Sequence, residues 1–283
     1  MWKERYKVGV ELIDTQHKEL FAMTETLLRI VESDDADARK QECVNAVSFL
    51  RGYVSKHFSA EEEFQKSINY SDIEAHMTLH RIFISTIENL ALRLSNSEYA
   101  IPVIREFTGI LTTWLIYHVT GVDQKLKTNE RLHSERANPS ASYAECFAQS
   151  AAKTLEALAG LSAGKVTYEH YSGNDDDIRV MIGLIGNHEG EAVFTYSKDI
   201  TMNLIRSMTS MELTEADELV YSAVSETTNI ISGNASSLIS ESGKEIDITT
   251  PKILDRFAVI DTKGDGFYID TDFGRMAIEV NVV

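Results

Sequence analysis

The sequence predicts two domains of different fold class: an all-α, up-down four-helix bundle followed by an α/β (α+β) domain. The length of 283 residues is ample for two separate cores. Apolar residues recur in steps of three and four through residues 12–119, whereas runs after residue 165 alternate as strands do. The glycines are distributed in the same way: only four of the 15 lie in residues 1–139.

The bundle is predicted to contain helices over about 12–33, 37–67, 71–95 and 101–119. Short polar breaks separate consecutive helices, as antiparallel neighbours require. A longer polar stretch then precedes the second half of the chain. The predicted domains are residues 1–127 and 141–283, joined by a linker at 128–140.

The second helix places two polar side chains on its apolar stripe. His57 and Glu61 are i, i+4 neighbours between Val54 and Phe64. Burying an imidazole and a carboxylate is costly unless something compensates for their lost hydration. A bound metal would do so, and so would a simple hydrogen bond between the two side chains.

The other three helices repeat this feature, which favours the metal. Each carries imidazole on its inward stripe, at His17, at His76 and His80, and at His118, and Asp123 follows five residues after His118. Five histidines and two carboxylates suit a dinuclear site with bridging carboxylates, built between facing helices. Imidazole and carboxylate favour iron over manganese or zinc, and no cysteine joins the set. Because Asp123 lies beyond Gly121, we expect it to come from a frayed or kinked helix end.

These residues resemble a bacteriohemerythrin over residues 1–127. The resemblance rests on Trp2, Tyr6, Ile13-Asp14-Thr15-Gln16-His17, His57-Phe58-Ser59-Ala60-Glu61-Glu62, His76-x3-His80 and Trp114-x3-His118-x4-Asp123. It implies that His76, His80 and His118 hold one iron and that His17 and His57 hold the other. It also implies bridging by Glu61 and Asp123, with O2 as the ligand of the iron that has fewer histidines.

The second domain is predicted to open with a capping box, Ser142-x-x-Glu145, and a helix to about Gly160. A short helix at 199–209 and a long one capped by Thr214 follow later. Strands are predicted at 166–171, 178–185, 191–196, 245–249, 256–262, 266–270 and 276–283.

The long helix carries a narrow polar stripe of Ser222, Glu226, Asn229 and Gly233, which we expect to face solvent. Polar residues at i, i+3 are ordinary on helices, so Glu226 and Asn229 alone indicate little. Within this order of helices and strands, however, the segment resembles the CheX/CheC chemotaxis phosphatases over residues 141–283. The resemblance implies hydrolysis of the aspartyl phosphate of a CheY-like receiver: Asn229 orients water, Glu226 binds a receiver lysine, and the receiver brings its own magnesium.

Charge and composition exclude several classes of function. The formal charge of −17, with no Lys/Arg-rich run, argues against a nucleic-acid partner. Cys43 and Cys146 are too few for a disulfide framework and predict buried thiols in a reducing compartment. The N-terminus lacks the apolar core of a signal peptide, and no stretch is long enough to span a membrane. We therefore expect a cytoplasmic protein with no membrane partner.

The sequence as a whole favours an oxygen- or redox-sensing diiron protein that dephosphorylates a response regulator in chemotaxis signalling. The signal could be O2, NO or iron availability, and the CheX resemblance implies a homodimer formed through the second domain. The alternative is an O2- or iron-binding hemerythrin whose second domain is a non-catalytic dimerisation or docking module.

Overall fold

The computed structural model of the chain describes residues 1–129, 141–161, 164–241, 243–255, 258, 260 and 262–282. They form two compact units, one mostly from residues 1–134 and the other mostly from residues 135–283. The predicted fold class is confirmed, because the first unit is helical and the second combines helices with an antiparallel sheet. The linker predicted at 128–140 lies outside the described residues from residue 130 onward, so the proposed boundaries stay a prediction.

Four long helices make up most of the first unit. They are α1 (Glu11–Val31), α2 (Ala36–Ser67), α3 (Ile73–Asn96) and α4 (Ile101–Tyr117). Each end lies within two residues of its predicted position. Asp35 accepts a hydrogen bond from the Ala38 N–H at the start of α2, and Pro102 occupies the first turn of α4. The apolar stripes that predicted the helices are buried and form the core of the bundle.

The residues before α1 are held against it. The carboxylate of Asp14 accepts hydrogen bonds from the backbone N–H groups of Val8, at 2.6 Å, and Gly9, at 3.0 Å. Tyr6 is buried and stacks on Phe21 with ring centroids 5.2 Å apart. These contacts fix the segment that precedes α1, the helix that carries His17.

Of the two alternatives expected for the end of α4, frayed or kinked, the structure has an ordered end that departs from α-helical geometry. The chain continues as a π-helical turn, His118–Val122, and then as a 3-10 turn, Asp123–Lys127. The Asp123 N–H donates to the His118 carbonyl, which is the i to i+5 bond of a π turn. In an α-helix, residues five apart would point about 140° away from each other. The π turn instead brings His118 and Asp123 to the same side, and both are buried.

The second unit contains an antiparallel sheet of seven strands, counted over the described residues. The strands are β1 (Val166–Thr167), β2 (Ile178–Gly186), β3 (Gly190–Tyr196), β4 (Ile246–Ile248), β5 (Lys252–Ile253), β6 (Asp265–Thr271) and β7 (Gly274–Val282). Their spatial order is β1-β6-β7-β3-β2-β4, and β5 also pairs with β2. Most of the central strands β3 and β7 is buried, so the core of this unit lies along them.

The strand predictions were correct where alternation was long. The strand predicted at 166–171 is only two residues long, and β5 was not predicted, since two residues are too few to show alternation. The strand predicted at 256–262 falls mainly on positions 256, 257, 259 and 261, which lie outside the described residues.

Three helices accompany the sheet: α5 (Tyr143–Ala159), α6 (Lys198–Thr209) and α7 (Glu218–Glu241). The predicted capping box is formed, with Ser142 and Glu145 each accepting from the other's backbone N–H. The cap predicted for α7 at Thr214 was wrong. Asp217 takes that role, because its Oδ1 accepts from the Leu219 N–H at 2.9 Å.

Side-chain hydrogen bonds fix α7 against its neighbours. The Ser150 hydroxyl of α5 donates to the Ile231 carbonyl at 2.7 Å. The hydroxyls of Tyr196 on β3 and Thr228 on α7 lie 2.9 Å apart, and both residues are buried. The α7 face that carries Thr228 is therefore anchored to the sheet.

Two further observations bear on the sequence-based expectations. Cys43 and Cys146 are buried free thiols, as predicted. Among the described helices, none has an apolar segment long enough to cross a bilayer.

Candidate functional site

Seven polar side chains converge in the interior of the bundle. All are at most 2% exposed, and they are the seven that the sequence singled out: His17 on α1, His57 and Glu61 on α2, His76 and His80 on α3, and His118 and Asp123 on the turns after α4. Four elements distant in sequence thus contribute to one cluster. The positions follow from the inward stripes of α1 to α3 and from the π turn after α4.

Three of the histidines form one side of the cluster. His76, His80 and His118 each place a ring nitrogen, with a carboxylate oxygen of Glu61, so that all four atoms lie within 4.8 Å of one another. His76 Nε2 is 3.3 Å from Glu61 Oε1, and His80 Nε2 is 3.4 Å from Glu61 Oε2. A single cation between these atoms would be within reach of all of them.

His17 and His57 form the other side. His17 Nε2 is 3.2 Å from Asp123 Oδ2, whereas His118 Nε2 is 3.1 Å from Asp123 Oδ1. Asp123 therefore presents one oxygen to each group of histidines. His57 Nε2 lies 3.8 Å from Glu61 Oε2, so Glu61 also contacts both groups. This is the disposition expected of two carboxylates that bridge two cations.

The unsatisfied polar atoms of the cluster fit a metal. Both ring nitrogens of His17 and His76 and all four carboxylate oxygens of Glu61 and Asp123 are buried without a hydrogen-bond partner among the described residues. Buried polar atoms are normally hydrogen-bonded, and a buried carboxylate without a partner is costly. Imidazole and carboxylate donors together suit iron. The ligand roles of the individual residues stay a prediction.

The second group of predicted residues lies on α7. Asn229 Nδ2 is 3.5 Å from Glu226 Oε2, so the two side chains are adjacent, and both are half-buried. The expectation that their whole stripe faces solvent was wrong, since Ser222 is buried. At Gly233 the space is open, because the nearest atom that an added Cβ would meet is Ile248 Cδ1 at 4.0 Å.

Two family models match this chain, one in each unit. Residues 8–128 match the family described as the hemerythrin HHE cation-binding domain, and residues 178–269 match the chemotaxis phosphatase CheX. The chain combines a hemerythrin domain with a CheX domain. Both resemblances inferred from the sequence are therefore confirmed.

Curated relatives match the hemerythrin domain. A bacteriohemerythrin of Clostridium acetobutylicum is 23% identical over 125 residues, covering 44% of this chain and 96% of the relative. A bacteriohemerythrin of Stenotrophomonas maltophilia is 26% identical over 133 residues, covering 47% and 82%. A myohemerythrin of Theromyzon tessulatum is 29% identical over 126 residues, covering 44% and 89%.

Solved structures resemble the other half of the chain. The chemotaxis protein CheX of Vibrio vulnificus has a TM-score of 0.45 at 21% identity, covering 50% of this chain and 100% of that chain. The CheX of Borrelia burgdorferi, solved as a CheX-CheY-BeF3-Mg complex, has a TM-score of 0.41 at 19% identity, covering 50% and 97%.

Burial and charge set the protonation of the hemerythrin cluster in the absence of a metal. Burial lowers the pKa of His57 to about 3. Burial also acts against the charged form of His76, but the carboxylates of Asp123 and Glu61, which lie 3.4 and 3.3 Å from its Nε2, outweigh it and raise the pKa of His76 to about 10. Burial and the neighbouring Glu61 charge raise the pKa of Asp123. Because metal-binding imidazoles must be deprotonated, a bound cation would compete with the proton that His76 holds in the metal-free cluster.

Aromatic rings hold two histidines of the three-histidine side in place. Phe58 stacks on His80 with centroids 3.7 Å apart and the rings within 2° of parallel. Trp114 stacks on His118 with centroids 4.3 Å apart, and Phe83 stacks on Trp114 with centroids 3.6 Å apart. A mostly apolar pocket lies beside His57 and His118 and is lined by Leu20, Leu50, Val54, Phe58, Phe83 and Leu111, among others.

The environment of Glu226 in the CheX domain disfavours the ionised form of its carboxyl group. Burial raises the pKa of Glu226 to about 7, although the adjacent Asn229 amide acts to lower it. A carboxyl group with this pKa titrates in the physiological range. Perturbed carboxyl groups of this kind are concentrated at functional sites.

Sequence reasoning assigned no role to two residues beside the cluster, Gln16 and Glu62. The Gln16 side-chain oxygen is 3.1 Å from His57 Nδ1, and Glu62 Oε1 is 3.1 Å from His80 Nδ1. Each is adjacent in sequence to a cluster residue, His17 or Glu61. That adjacency was the available signal, but it does not show which histidine each residue would contact.

Proposed function

We propose that this chain is an oxygen- or redox-sensing diiron protein whose CheX domain hydrolyses the aspartyl phosphate of a CheY-like receiver. The proposal joins a sensing function in the hemerythrin domain to a phosphatase function in the CheX domain. The observation that supports it is the set of seven buried donors, in a chain that also matches the CheX family.

In this proposal, His76, His80 and His118 would hold one iron, His17 and His57 would hold the other, and Glu61 and Asp123 would contribute oxygen ligands to both. When bound, the iron pair supplies reversible binding of O2, or of NO, and a change of oxidation state. The chain itself supplies a dry, apolar surround, in which Phe58 and Trp114 keep two imidazoles fixed and the pocket beside His57 excludes water. Excluding water from the site limits side reactions there.

The CheX site needs no nucleophile of its own, because an aspartyl phosphate is labile towards water. The Asn229 side-chain oxygen would accept a hydrogen bond from a water molecule and aim the water oxygen at phosphorus, in line with the aspartate that leaves. Glu226, as a carboxylate, would bind a lysine of the receiver and hold the two proteins in register. Magnesium would come with the receiver. Orientation of this kind contributes several kcal/mol to catalysis.

The half-buried position of Glu226 and Asn229 supports this division of roles. Their side chains are adjacent, so one docked receiver could contact both. The open space at Gly233, one turn after Asn229, leaves room for the receiver to approach the helix. We also propose that the CheX domain mediates a homodimer, as expected for this family.

The experiment that tests the phosphatase function measures phosphate loss from phosphorylated CheY-like receivers with and without the full-length protein. We expect the protein to accelerate the loss from at least one receiver of the source genome. Decay that is unchanged for every receiver would contradict the proposal and favour a non-catalytic docking module.

The same assay has an expected pH dependence. Because the pKa of Glu226 is raised to about 7, the carboxyl group is mostly protonated at pH 6 and mostly ionised at pH 8. Binding a lysine requires the ionised form, so kcat/KM should rise over this range by several-fold, and by at most about tenfold. After subtraction of the receiver's own decay, the Glu226→Gln variant should be slower and show no such rise. A wild-type profile that falls between pH 6 and 8 would contradict the assigned role.

A further inference from the structure

Two histidines of the cluster have side-chain partners at the ring nitrogen that faces away from it. His80 Nδ1 is 3.1 Å from the Glu62 carboxylate, and His57 Nδ1 is 3.1 Å from the Gln16 side-chain oxygen. Both contacts cross between helices, since Glu62 on α2 reaches His80 on α3 and Gln16 on α1 reaches His57 on α2. Each contact therefore orients an imidazole from a second, rigid element.

These contacts fix the tautomer of each ring. An acceptor oxygen at Nδ1 requires the proton to be on Nδ1, which leaves the lone pair on Nε2. Nε2 is the atom that points into the cluster, at 3.4 Å from Glu61 Oε2 for His80 and 3.8 Å for His57. Both rings are thus prepared to bind a cation through Nε2.

The two acceptors differ in charge, although their distances are the same. Glu62 carries a carboxylate, whereas Gln16 carries a neutral amide. A carboxylate partner increases the basicity of a metal-binding imidazole, and outer partners of this kind typically change metal affinity or activity by 10- to 100-fold. The charged partner acts on the three-histidine side of the cluster and the neutral partner acts on the two-histidine side.

We propose that Glu62 and Gln16 are positioning residues that make the two metal positions electronically unequal, with Glu62 stabilising the ferric state of the three-histidine position. The inference rests on the proposed diiron function. The Glu62 charge makes the His80 imidazole a stronger electron donor to the metal at that position. Through His57, Gln16 fixes ring orientation without added charge, so the two-histidine position stays easier to reduce.

The test compares the iron-loaded full-length protein with Glu62→Gln, Gln16→Glu and a control, Glu63→Gln. Glu63 is the next residue on α2 and is exposed, so the control loses the same charge at nearly the same place. Iron content and the midpoint potential of the centre are measured by anaerobic redox titration. We expect Glu62→Gln to raise the midpoint potential and weaken iron binding by about 10- to 100-fold. Gln16→Glu should lower the potential, and Glu63→Gln should match the wild type.

The other possible outcomes separate failure of this inference from failure of the proposed diiron function. Equal potentials in Glu62→Gln and Glu63→Gln would overturn the inference, while the diiron assignment would stand if the wild type binds two irons. A wild type that binds no iron would overturn the proposed function and this inference together. If Glu62→Gln holds too little iron for titration, the Glu62→Asp variant, which keeps the charge, should regain iron. Equal loss in both variants would contradict a role for the carboxylate charge.

Discussion

Removing the metal from this protein is expected to lower the melting temperature of the hemerythrin domain by on the order of 10–20 °C. A ligand present at about 1,000 times its Kd stabilises the folded state by about 4 kcal/mol, and each kcal/mol shifts the melting temperature of a domain of this size by a few degrees. The physical reason is the cluster itself. Without cations, Glu61 and Asp123 are buried carboxyl groups whose oxygens have no hydrogen-bond partner among the described residues.

The measurement is thermal unfolding of the purified protein before and after chelation, together with metal analysis. The loaded form should contain about two irons per chain. Glu61→Gln keeps the side-chain volume but removes the bridging charge, so it should lose iron and melt like the chelated form. Glu63→Gln, on the exposed face of α2, should keep both the iron and the melting temperature. Identical melting with and without metal, or a single zinc in the purified protein, would refute the assignment.

Replacing Asn229 by alanine should reduce the acceleration of receiver dephosphorylation by at least tenfold and by up to about 100-fold. The amide is proposed to orient the attacking water, and a small misplacement of a reacting group costs about this much. Asn229 is half-buried and its described partner is Glu226, so the CheX domain should stay folded after the change.

The matched control is the same substitution on another helix. Asn203 on α6 is also half-buried, and its side chain donates to the Phe273 carbonyl at 3.3 Å. Asn203→Ala should leave the rate per folded molecule unchanged. Loss of activity in Asn203→Ala equal to that in Asn229→Ala would indicate a general effect on the fold, and an active Asn229→Ala variant would remove Asn229 from the mechanism.

The convergence of the polar side chains inside the bundle could be predicted closely from the sequence because helix periodicity determines which side chains point inward. His17, His57, Glu61, His76 and His80 all lie on stripes whose apolar members are buried, so their convergence follows from the same rule that packs the bundle. The position of Asp123 did not follow from that rule, since a five-residue spacing faces away in an α-helix. Its inward direction depends on a π turn, which hydrophobic periodicity does not reveal.

The contacts of Gln16 and Glu62 were beyond sequence reasoning for a different reason. Each crosses to another helix, and such contacts depend on the axial register and rotation of two helices. The raised pKa of Glu226 was also unpredictable, because it depends on how much of a half-exposed helix face is covered. In the CheX domain, long alternating runs predicted β2, β3 and β7, whereas the two-residue strand β5 carries no detectable pattern.

The most direct test of the proposed function as a whole, in which iron sensing by the hemerythrin domain would control the proposed phosphatase activity of the CheX domain, is the rate of receiver dephosphorylation in different iron states. One preparation of the full-length protein would be assayed metal-free, reduced without air, reduced and then exposed to air, and fully oxidised. Regulatory coupling between two sites is typically worth about 1–3 kcal/mol, so the rates should differ by about 5- to 150-fold between at least two of these states. The Asn229→Ala variant should be slow in all four states. Equal wild-type rates in all four states would contradict the account and leave two independent functions on one chain.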